Sequence, residues 1–366
     1  MKAILAMLAA LTLVAACSGY ERCAGDPFAS GRSRLDAGDV AGAGTEFRRA
    51  VSCDPEDDEA RLFAAVTESA AALLDDPALR DLLSASGGSI RGSSSDACSM
   101  AIALPDLLDE DSPSSEEARR IATPILRERI DALIAELERL PGGFRMTLES
   151  SDLPACLRAV APAKIEIDAA DVLVALGGLR AAAAGLRIAA AYDVDADVDD
   201  VANNDRTPQE VVEQNPQLGN RRSDPASADA LDDARTLLEQ ASLDLVDAID
   251  AIAAETDDQR DDAISVAPED RDGMERLRLA LELFRTSLHE PVTFRAQDFP
   301  ELDEDQRLDL RIFFDATIAS LRPLLPPFTE RGQFDVCRFP DPTFDGIAPD
   351  LTQENIDTFF GICRAE

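Results

Sequence analysis

Tryptophan is absent from the 366 residues, tyrosine occurs only at positions 20 and 192, and there is a single histidine. Sugar-binding clefts and membrane-interface belts depend on Trp and Tyr, because those rings combine a flat apolar face with a polar tip. A chain with so few of them is poorly suited to bind or cleave glycans. The shortage therefore argues against a glycan enzyme or a glycan-binding module.

Recognisable catalytic and cofactor-binding motifs are also missing from the sequence. The one histidine, His289, lies near the end of a predicted helix, where the helix dipole favours a cation. Neither GxSxG nor HExxH accompanies it. Gly177-Gly178 lies inside an apolar helical segment and predicts close packing, not a phosphate loop. The sequence predicts a non-enzymatic protein without a resident cofactor; a hydrolase of unrecognised type is the weaker alternative.

Positive charge is scarce. Lysine occurs only at positions 2 and 164, and 35 Lys and Arg stand against 72 Asp and Glu, for a net charge of −37. Such an acidic surface repels phosphate backbones, which argues against nucleic acid as a partner. It also lacks a polybasic segment that could bind anionic lipid headgroups. The hydrophobic content of 45% is sufficient for a packed core, which excludes wholesale disorder.

The first seventeen residues, MKAILAMLAALTLVAAC, form the clearest pattern. Lys2 precedes an apolar run that ends in small residues, as in a secretory signal peptide. The run is shorter than the roughly 20 residues that span a bilayer, so we expect cleavage and no transmembrane helix in the mature chain. Val14-Ala15-Ala16-Cys17 resembles the lipobox of bacterial lipoproteins. The alternative is an ordinary signal peptide with an incidental cysteine.

The lipoprotein resemblance implies cleavage before Cys17, a diacylglyceryl thioether on its sulfur and acylation of the new amino terminus. Two or more acyl chains anchor a protein stably, whereas a single chain is marginal. Ser18, in place of aspartate, resembles an outer-membrane sorting signal. The implied location is the cell envelope of a diderm bacterium. There, outer-membrane lipid holds Cys17, and the protein faces the periplasm or the cell surface.

Six further cysteines follow, and an even number in an exported chain predicts disulfides. They allow fifteen connectivities. No CxxC occurs, so a thioredoxin-type or zinc-ribbon role has no support. We expect sequential pairing: Cys23 with Cys53, Cys98 with Cys156, and Cys337 with Cys363.

Residues 24–56 predict a helical hairpin, with helices over 27–37 and 40–52 joined by Gly38-Asp39. In an antiparallel hairpin the start of the first helix lies beside the end of the second, which brings Cys23 within bridging reach of Cys53. The segment resembles one tetratricopeptide repeat at Gly31, Ala43, Phe47, Ala50 and Pro55, and departs from it at Ser30 and Arg34. About three repeats are needed for a solenoid, so we expect a single repeat-like hairpin.

The whole chain reads as mostly α-helical, an irregular helical bundle in four regions. These are a signal peptide (1–16), an anchor and TPR-like helical hairpin region (17–84), a Gly/Ser-rich loop (85–97) and a helical body (98–366). The body is expected to contain a short β-hairpin of 144–148 with 164–167 and helices over 98–108, 115–140 (kinked or split at Pro124), 168–192, 227–254 (capped by Ser227), 273–289, 305–321 and 353–360. Residues 323–366, rich in phenylalanine and proline, predict an irregular C-terminal cap.

The helix over 168–192 is the most apolar internal segment. Its only charges after Asp171 are Arg180 and Arg187, which lie seven residues apart and share a face. Two arginines at the centre of a membrane span would cost roughly 2.5–3.5 kcal/mol each. We therefore predict a central helix of the body, with both arginines at its edge or ion-paired.

Residues 193–226 are polar and acidic and predict a long loop with a short helix from Pro208 to Gln214. Its alternating aspartates resemble the first half of an EF-hand calcium loop, although the glycine turn and the glutamate clamp of that motif are missing. A looser calcium site would use Asp193, Asp195, Asp197 and Asp199; a solvated acidic loop is the other interpretation.

Taken together, these features predict a lipid-anchored envelope lipoprotein that acts as a helical scaffold or adaptor for another envelope protein. The alternative is a calcium-binding surface lipoprotein that uses residues 193–199.

Overall fold

The computed structural model describes residues 23, 25–85, 89–91, 101–103, 115–149, 164–196, 206–255, 263–264, 266, 270–315, 318–335 and 338–353. The fold is mostly helical, as the sequence predicts. In chain order the helices are α1 (Pro27–Asp36), α2 (Val40–Cys53), α3 (Asp58–Leu74), α4 (Pro77–Ala85), α5 (Ser115–Leu137), α6 (Ala169–Ala191), α7 (Pro208–Gln214), α8 (Pro225–Ala254), α9 (Arg271–Ser287) and α10 (Arg311–Phe314).

The strands form two-stranded antiparallel pairs. They are β1 (Ser89–Arg91) with β2 (Ala101–Ala103), β3 (Arg145–Glu149) with β4 (Lys164–Asp168), and β5 (Val292–Phe294) with β6 (Gln306–Leu308). The β3–β4 hairpin confirms the predicted one. Its register places Met146 opposite Ile167 and Leu148 opposite Ile165.

The N-terminal hairpin forms as predicted. Cys23 and Cys53 are joined by a disulfide with a Cα–Cα distance of 5.6 Å, so the start of α1 lies beside the end of α2. Phe47 is fully buried and stacks on Phe63 of α3 with ring centroids 4.8 Å apart. Gly31 allows this packing, because a Cβ there would lie 2.6 Å from the Phe47 ring.

Within the described part of the chain, the hydrophobic core forms two clusters. The first joins the N-terminal hairpin to α5, β3 and α6, so the hairpin shares its core with the body. The second surrounds Tyr192 and Leu231, which are 1% and 0% exposed, and includes Leu288 and Phe314. Helix α6 contributes to both clusters and packs along α8, which makes it the central helix.

The predicted helix over 305–321 is wrong. Residues Gln306–Leu308 form β6 instead, and among the described residues of this range only Arg311–Phe314 are α-helical. The cause is tertiary: β6 pairs with β5, and the Asp309 N–H donates to the carbonyl of Ile347 at 2.7 Å. Such partners, distant along the chain, override a local helical pattern.

Two further expectations for residues 85–108 are corrected. The helix over 98–108 is wrong at residues 101–103, which form β2. The Gly/Ser-rich segment 85–97 is not loop throughout, because Ser89–Arg91 form β1 and pair with β2 in antiparallel register. The spacing of apolar residues could not reveal this pairing, because both strands are only three residues long.

The predicted helix boundaries need two corrections. The N-cap of α8 is Asp224, whose side chain accepts from the Ser227 N–H at 3.1 Å, and Pro225 occupies the first turn. Ser227 is therefore inside the helix, and its hydroxyl donates to the Arg222 carbonyl at 2.7 Å. Helix α5 is not split at Pro124 but continues through this residue. Pro124 is exposed, so its ring faces solvent.

The described ends of the acidic segment, 193–196 and 206–226, are joined by main-chain hydrogen bonds. The Asp193 N–H donates to Asn220 at 2.8 Å, and the Gly219 N–H donates back to Asp193 at 2.7 Å. Helix α7 lies where the sequence places it, with a capping box between Thr207 and Glu210. The predicted irregular cap is seen over 338–353, where Phe339 and Phe344 pack edge to face.

Candidate functional site

An apolar cleft of about 810 Å³ opens between the N-terminal hairpin and the body. Helices α1 to α3 form one wall, and α5, the β3–β4 hairpin and α6 form the other. We call it the apolar cleft; its lining is Leu35, Val40, Leu62, Phe63, Val66, Thr67, Ala70, Leu133, Leu137, Met146, Leu148, Ile167, Asp171, Val172, Ala175, Gly178, Leu179 and Ala263.

The lining follows from helical and strand periodicity. On α3, Leu62, Phe63 and Val66 recur at spacings that share one helix face. On β3, Met146 and Leu148 are two residues apart and therefore lie on the same face of the hairpin. Ile167 of β4 lies opposite Met146 and shares that face. These side chains cover the core on one side and line the cleft on the other. Val66 remains 49% exposed.

Both polar side chains of the lining are already engaged within the protein. The Thr67 hydroxyl donates to the Phe63 carbonyl of its own helix at 2.5 Å. Asp171 accepts the Asp168 N–H at 3.0 Å, and Asp168 accepts the Asp171 N–H at 3.2 Å, which completes a capping box at the start of α6. The described lining therefore presents side-chain hydrocarbon and few polar groups that a ligand could use.

Asp168 remains ionised at this helix start. Burial alone would raise the pKa of Asp168, but hydrogen bonding with the Glu255 carboxyl group and the donating N–H groups of Asp171 and Ala170 outweigh it, so the pKa lies below its ordinary value. A negative carboxylate at the N-terminus of α6 also complements the helix dipole.

Helix α6 has a face of small residues that continues out of the cleft. Ala175, Gly178, Ala182 and Gly185 are exposed and lie at spacings of three and four residues; we call them the small-residue face. No described atom lies within 4 Å of a Cβ built on Gly178 or Gly185. Gly177, by contrast, is buried against Leu245 of α8, whose Cγ would lie 2.7 Å from an added Cβ. Close packing, predicted for both glycines, is confirmed for Gly177 and wrong for Gly178.

Two arginines fix the opposite side of α6, and of the two placements that the sequence predicts, at the helix edge or ion-paired, ion pairing is observed. Arg180, 8% exposed, pairs with Asp244 of α8 and Glu138 beyond α5. Arg187, 6% exposed, pairs with Asp131 of α5 at 2.9 Å. Burial raises the pKa of Asp244, although hydrogen bonding to Arg180 opposes the shift. These pairs hold the orientation in which the small-residue face points outward.

Among the described residues, α6 is the one helix long and apolar enough to cross a membrane, and 39% of its most apolar window is buried in the protein. Its ion-paired arginines and its packing along α8 suit a helix of the protein body.

The predicted calcium residues fall partly inside the described region. Asp193 accepts the Asp195 N–H at 2.9 Å, a local turn that uses one carboxylate oxygen. Asp197 and Asp199 lie outside the described residues. Over the described part of the chain, no group of three or more His, Cys, Asp or Glu side chains is placed to hold a metal ion.

Other predicted site residues are distributed as follows. His289 follows α9, half exposed, with its Nε2 3.2 Å from the Glu239 carboxylate. Of the cysteines, only the Cys23–Cys53 pair is described; the lipidation candidate and the remaining disulfide candidates lie outside the described residues, namely Cys17, Cys98, Cys156, Cys337 and Cys363.

Sequence reasoning missed the apolar cleft, because its walls come from seven helices and strands far apart along the chain. One signal was present: the alternation of small residues along α6 leaves exposed glycines in a helix interior, where glycine is unfavourable by roughly 0.5–1 kcal/mol relative to alanine. No protein family, curated protein or solved structure matches this chain.

Proposed function

We propose that this chain is a lipid-anchored envelope protein without catalytic activity, an adaptor that receives an apolar segment of another envelope protein in the apolar cleft. The cleft is the observation that carries the proposal. Ligands and partner segments bind preferentially in concave, mostly apolar clefts of this kind. A half-exposed Val66 belongs to the lining of this cleft.

The chemistry of the lining favours binding over catalysis. Enzyme and cofactor pockets combine apolar walls with a few polar groups that converge on the substrate. Here Thr67 and Asp171 are committed to their own helices. The described residues of the cleft therefore lack a nucleophile or general base aimed at its interior.

The anchor supports the same proposal. Cys17 of the lipobox-like segment lies six residues before Cys23, which the disulfide ties to the end of α2. Six extended residues reach about 20 Å at most. Acyl chains on Cys17 would therefore keep the N-terminal hairpin, one wall of the cleft, close to the membrane surface.

A photocrosslinking experiment in native membranes tests the proposal. A photoreactive phenylalanine derivative replaces Val66 in the cleft or, as a matched control, Leu277 on α9, which is 50% exposed and outside the cleft. We expect one defined envelope protein to be crosslinked from position 66 and not from position 277.

Val66→Asp should then lower recovery of that protein, and Leu277→Asp should not. Equal crosslinking from both positions, or none from either, would refute the adaptor role.

A further inference from the structure

The apolar cleft and the small-residue face are one continuous surface, because Ala175 and Gly178 belong to both. From Ala175 to Gly185 the face extends ten residues along α6, or about 15 Å at 1.5 Å per residue. Small side chains on such a face permit a second helix to approach the backbone closely. An elongated apolar occupant that follows α6 fits this surface better than a compact one.

The absence of free hydrogen-bonding groups in the described lining restricts the occupant further. Buried peptide groups must be paired, and an unpaired one costs roughly 1–3 kcal/mol. The β3–β4 hairpin presents Met146, Leu148 and Ile167 to the cleft, and on β4 the Glu166 carbonyl already accepts the N–H of the lining residue Ala263 at 2.9 Å. The backbone N–H and C=O groups of an extended peptide would lack hydrogen-bond partners against this lining, whereas a helix pairs these groups internally.

The negative charge around the cleft favours an occupant with positive charge. The N-terminal segment 25–85, whose helices α1 to α3 form one wall, contains 13 acidic and 6 basic side chains, a net charge of 6 − 13 = −7, within a chain of net charge −37. Potentials of this size steer cationic partners and repel anionic ones. A second copy of this chain and an anionic lipid are both disfavoured on this ground.

Resting on the proposed function, we infer that the segment received by the apolar cleft is a cationic amphipathic helix of the partner, packed against α6 at Gly178. Its apolar stripe enters the cleft and its basic face meets the acidic wall. This is the helix-in-groove mode of recognition, in which residues at i, i+3, i+4 and i+7 act as anchors.

The test uses the purified full chain and fluorescently labelled synthetic peptides of about 18 residues, or five turns. One peptide has leucine at i, i+3, i+4 and i+7 and lysine on the other face. Its twin has glutamate in place of lysine, and a third has the lysine composition with the leucines scrambled. Anisotropy titrations give the dissociation constants.

The variant Gly178→Leu fills the contact point, and Gly273→Leu is its matched control. Gly273 is also a helical glycine, on α9, with no described atom within 4 Å of an added Cβ, and it lies outside the cleft. Circular dichroism and thermal melting establish that both variants fold. We expect the lysine peptide to bind saturably, to weaken at least about tenfold in Gly178→Leu, and to be unchanged in Gly273→Leu.

Four results would overturn the inference. They are equal binding of the glutamate or scrambled peptide, binding that Gly178→Leu leaves unchanged, a dimer of the chain that Gly178→Leu dissociates, and a co-purifying lipid that the same variant releases. If Val66 crosslinks a partner while the lysine peptide fails to bind, the adaptor proposal stands and only the cationic helix is rejected.

Discussion

Gly177 and Gly178 are adjacent on α6 but face opposite environments: a Cβ on Gly177 would lie 2.7 Å from Leu245 Cγ, and one on Gly178 would meet no described atom within 4 Å. One glycine is required by the packing of α6 on α8. Gly178, which lacks a side chain, leaves the α6 backbone accessible at the apolar cleft. Gly177 therefore serves helix packing, whereas Gly178 shapes the exposed surface.

This contrast predicts opposite effects of the same substitution. Gly178→Ala should raise the free energy of unfolding by roughly 0.5–1 kcal/mol, since alanine is the better helix former and meets open space. Gly177→Ala should lower it by roughly 1–3 kcal/mol, because Leu245 and the Ala241 carbonyl must shift. Urea unfolding of both variants checks this; equal signs would contradict the assigned orientation of α6.

The buried pair of Arg180 and Asp244 should be costly to break. Asp244→Ala leaves a guanidinium 8% exposed with only the half-exposed Glu138 as partner, so we expect a loss of about 3 kcal/mol. Glu138→Ala, the control, should cost under about 1 kcal/mol, as an exposed carboxylate does. Replacing the pair together by Arg180→Met and Asp244→Leu should recover most of the loss; a double variant as unstable as Asp244→Ala would argue against uncompensated charge as the cause.

The disulfide between Cys23 and Cys53 closes a loop with a sequence separation of 30. By loop-closure entropy we expect its removal in Cys23→Ala/Cys53→Ala to lower the free energy of unfolding by about 3 kcal/mol. Thiol alkylation of the unreduced wild type should leave both cysteines unlabelled. Labelling of Cys53 in the native chain, or unchanged stability of the double variant, would show that the bridge does not form.

Asp341 should contribute to the acid sensitivity of the cap. The Thr343 hydroxyl donates to it at 2.6 Å, and with the N–H groups of Asp345 and Thr343 this lowers the pKa of Asp341 below its ordinary value. A lowered pKa stabilises the fold above the unfolded value of about 3.9, and the contribution is lost as pH falls through the folded pKa.

The stability gap between wild type and Asp341→Asn should therefore be full near neutral pH and shrink on acidification. Denaturant unfolding at a series of pH values measures it. A stability difference that grows as the pH falls would contradict a lowered pKa for Asp341 in the folded protein.

Cys17 gives a direct test of the proposed anchor. Cells fed an alkyne-tagged fatty acid should label the wild-type chain, and Cys17→Ser should abolish both the label and membrane recovery, because stable anchoring needs acyl chains. Cys23→Ala/Cys53→Ala is the control, because it removes the two disulfide-bonded cysteines of the hairpin and keeps Cys17. Unlabelled wild-type protein in the cytosol would exclude the lipid anchor.

Local patterns predicted much of the secondary structure. Asp39 caps α2 and Gly38 takes the positive φ of the turn before it, and both signals are read directly from the sequence. Pro208 likewise predicted the start of α7, and the structure adds a capping box between Thr207 and Glu210. These elements were predictable because their stabilising contacts lie within a few residues.

Elements that depend on distant partners were missed. The helix expected over 305–321 yields to β6, because pairing with β5 and the bond from Asp309 to Ile347 join residues far apart in the chain. The cleft was missed for the same reason, since Val66 and Gly178 come together only in the folded protein.

The amino-acid sequence by itself determined the helical class, the apolar central helix with paired arginines, the N-terminal hairpin and its cysteine bridge. Each depends on periodicity, capping or charge within a short segment. Only the tertiary structure decided which face of α6 is buried, because hydrophobicity is nearly uniform around that helix. Packing against Leu245 on one side, with Arg180 held by Asp244, leaves Gly178 on the open side, and the apolar cleft follows from that orientation.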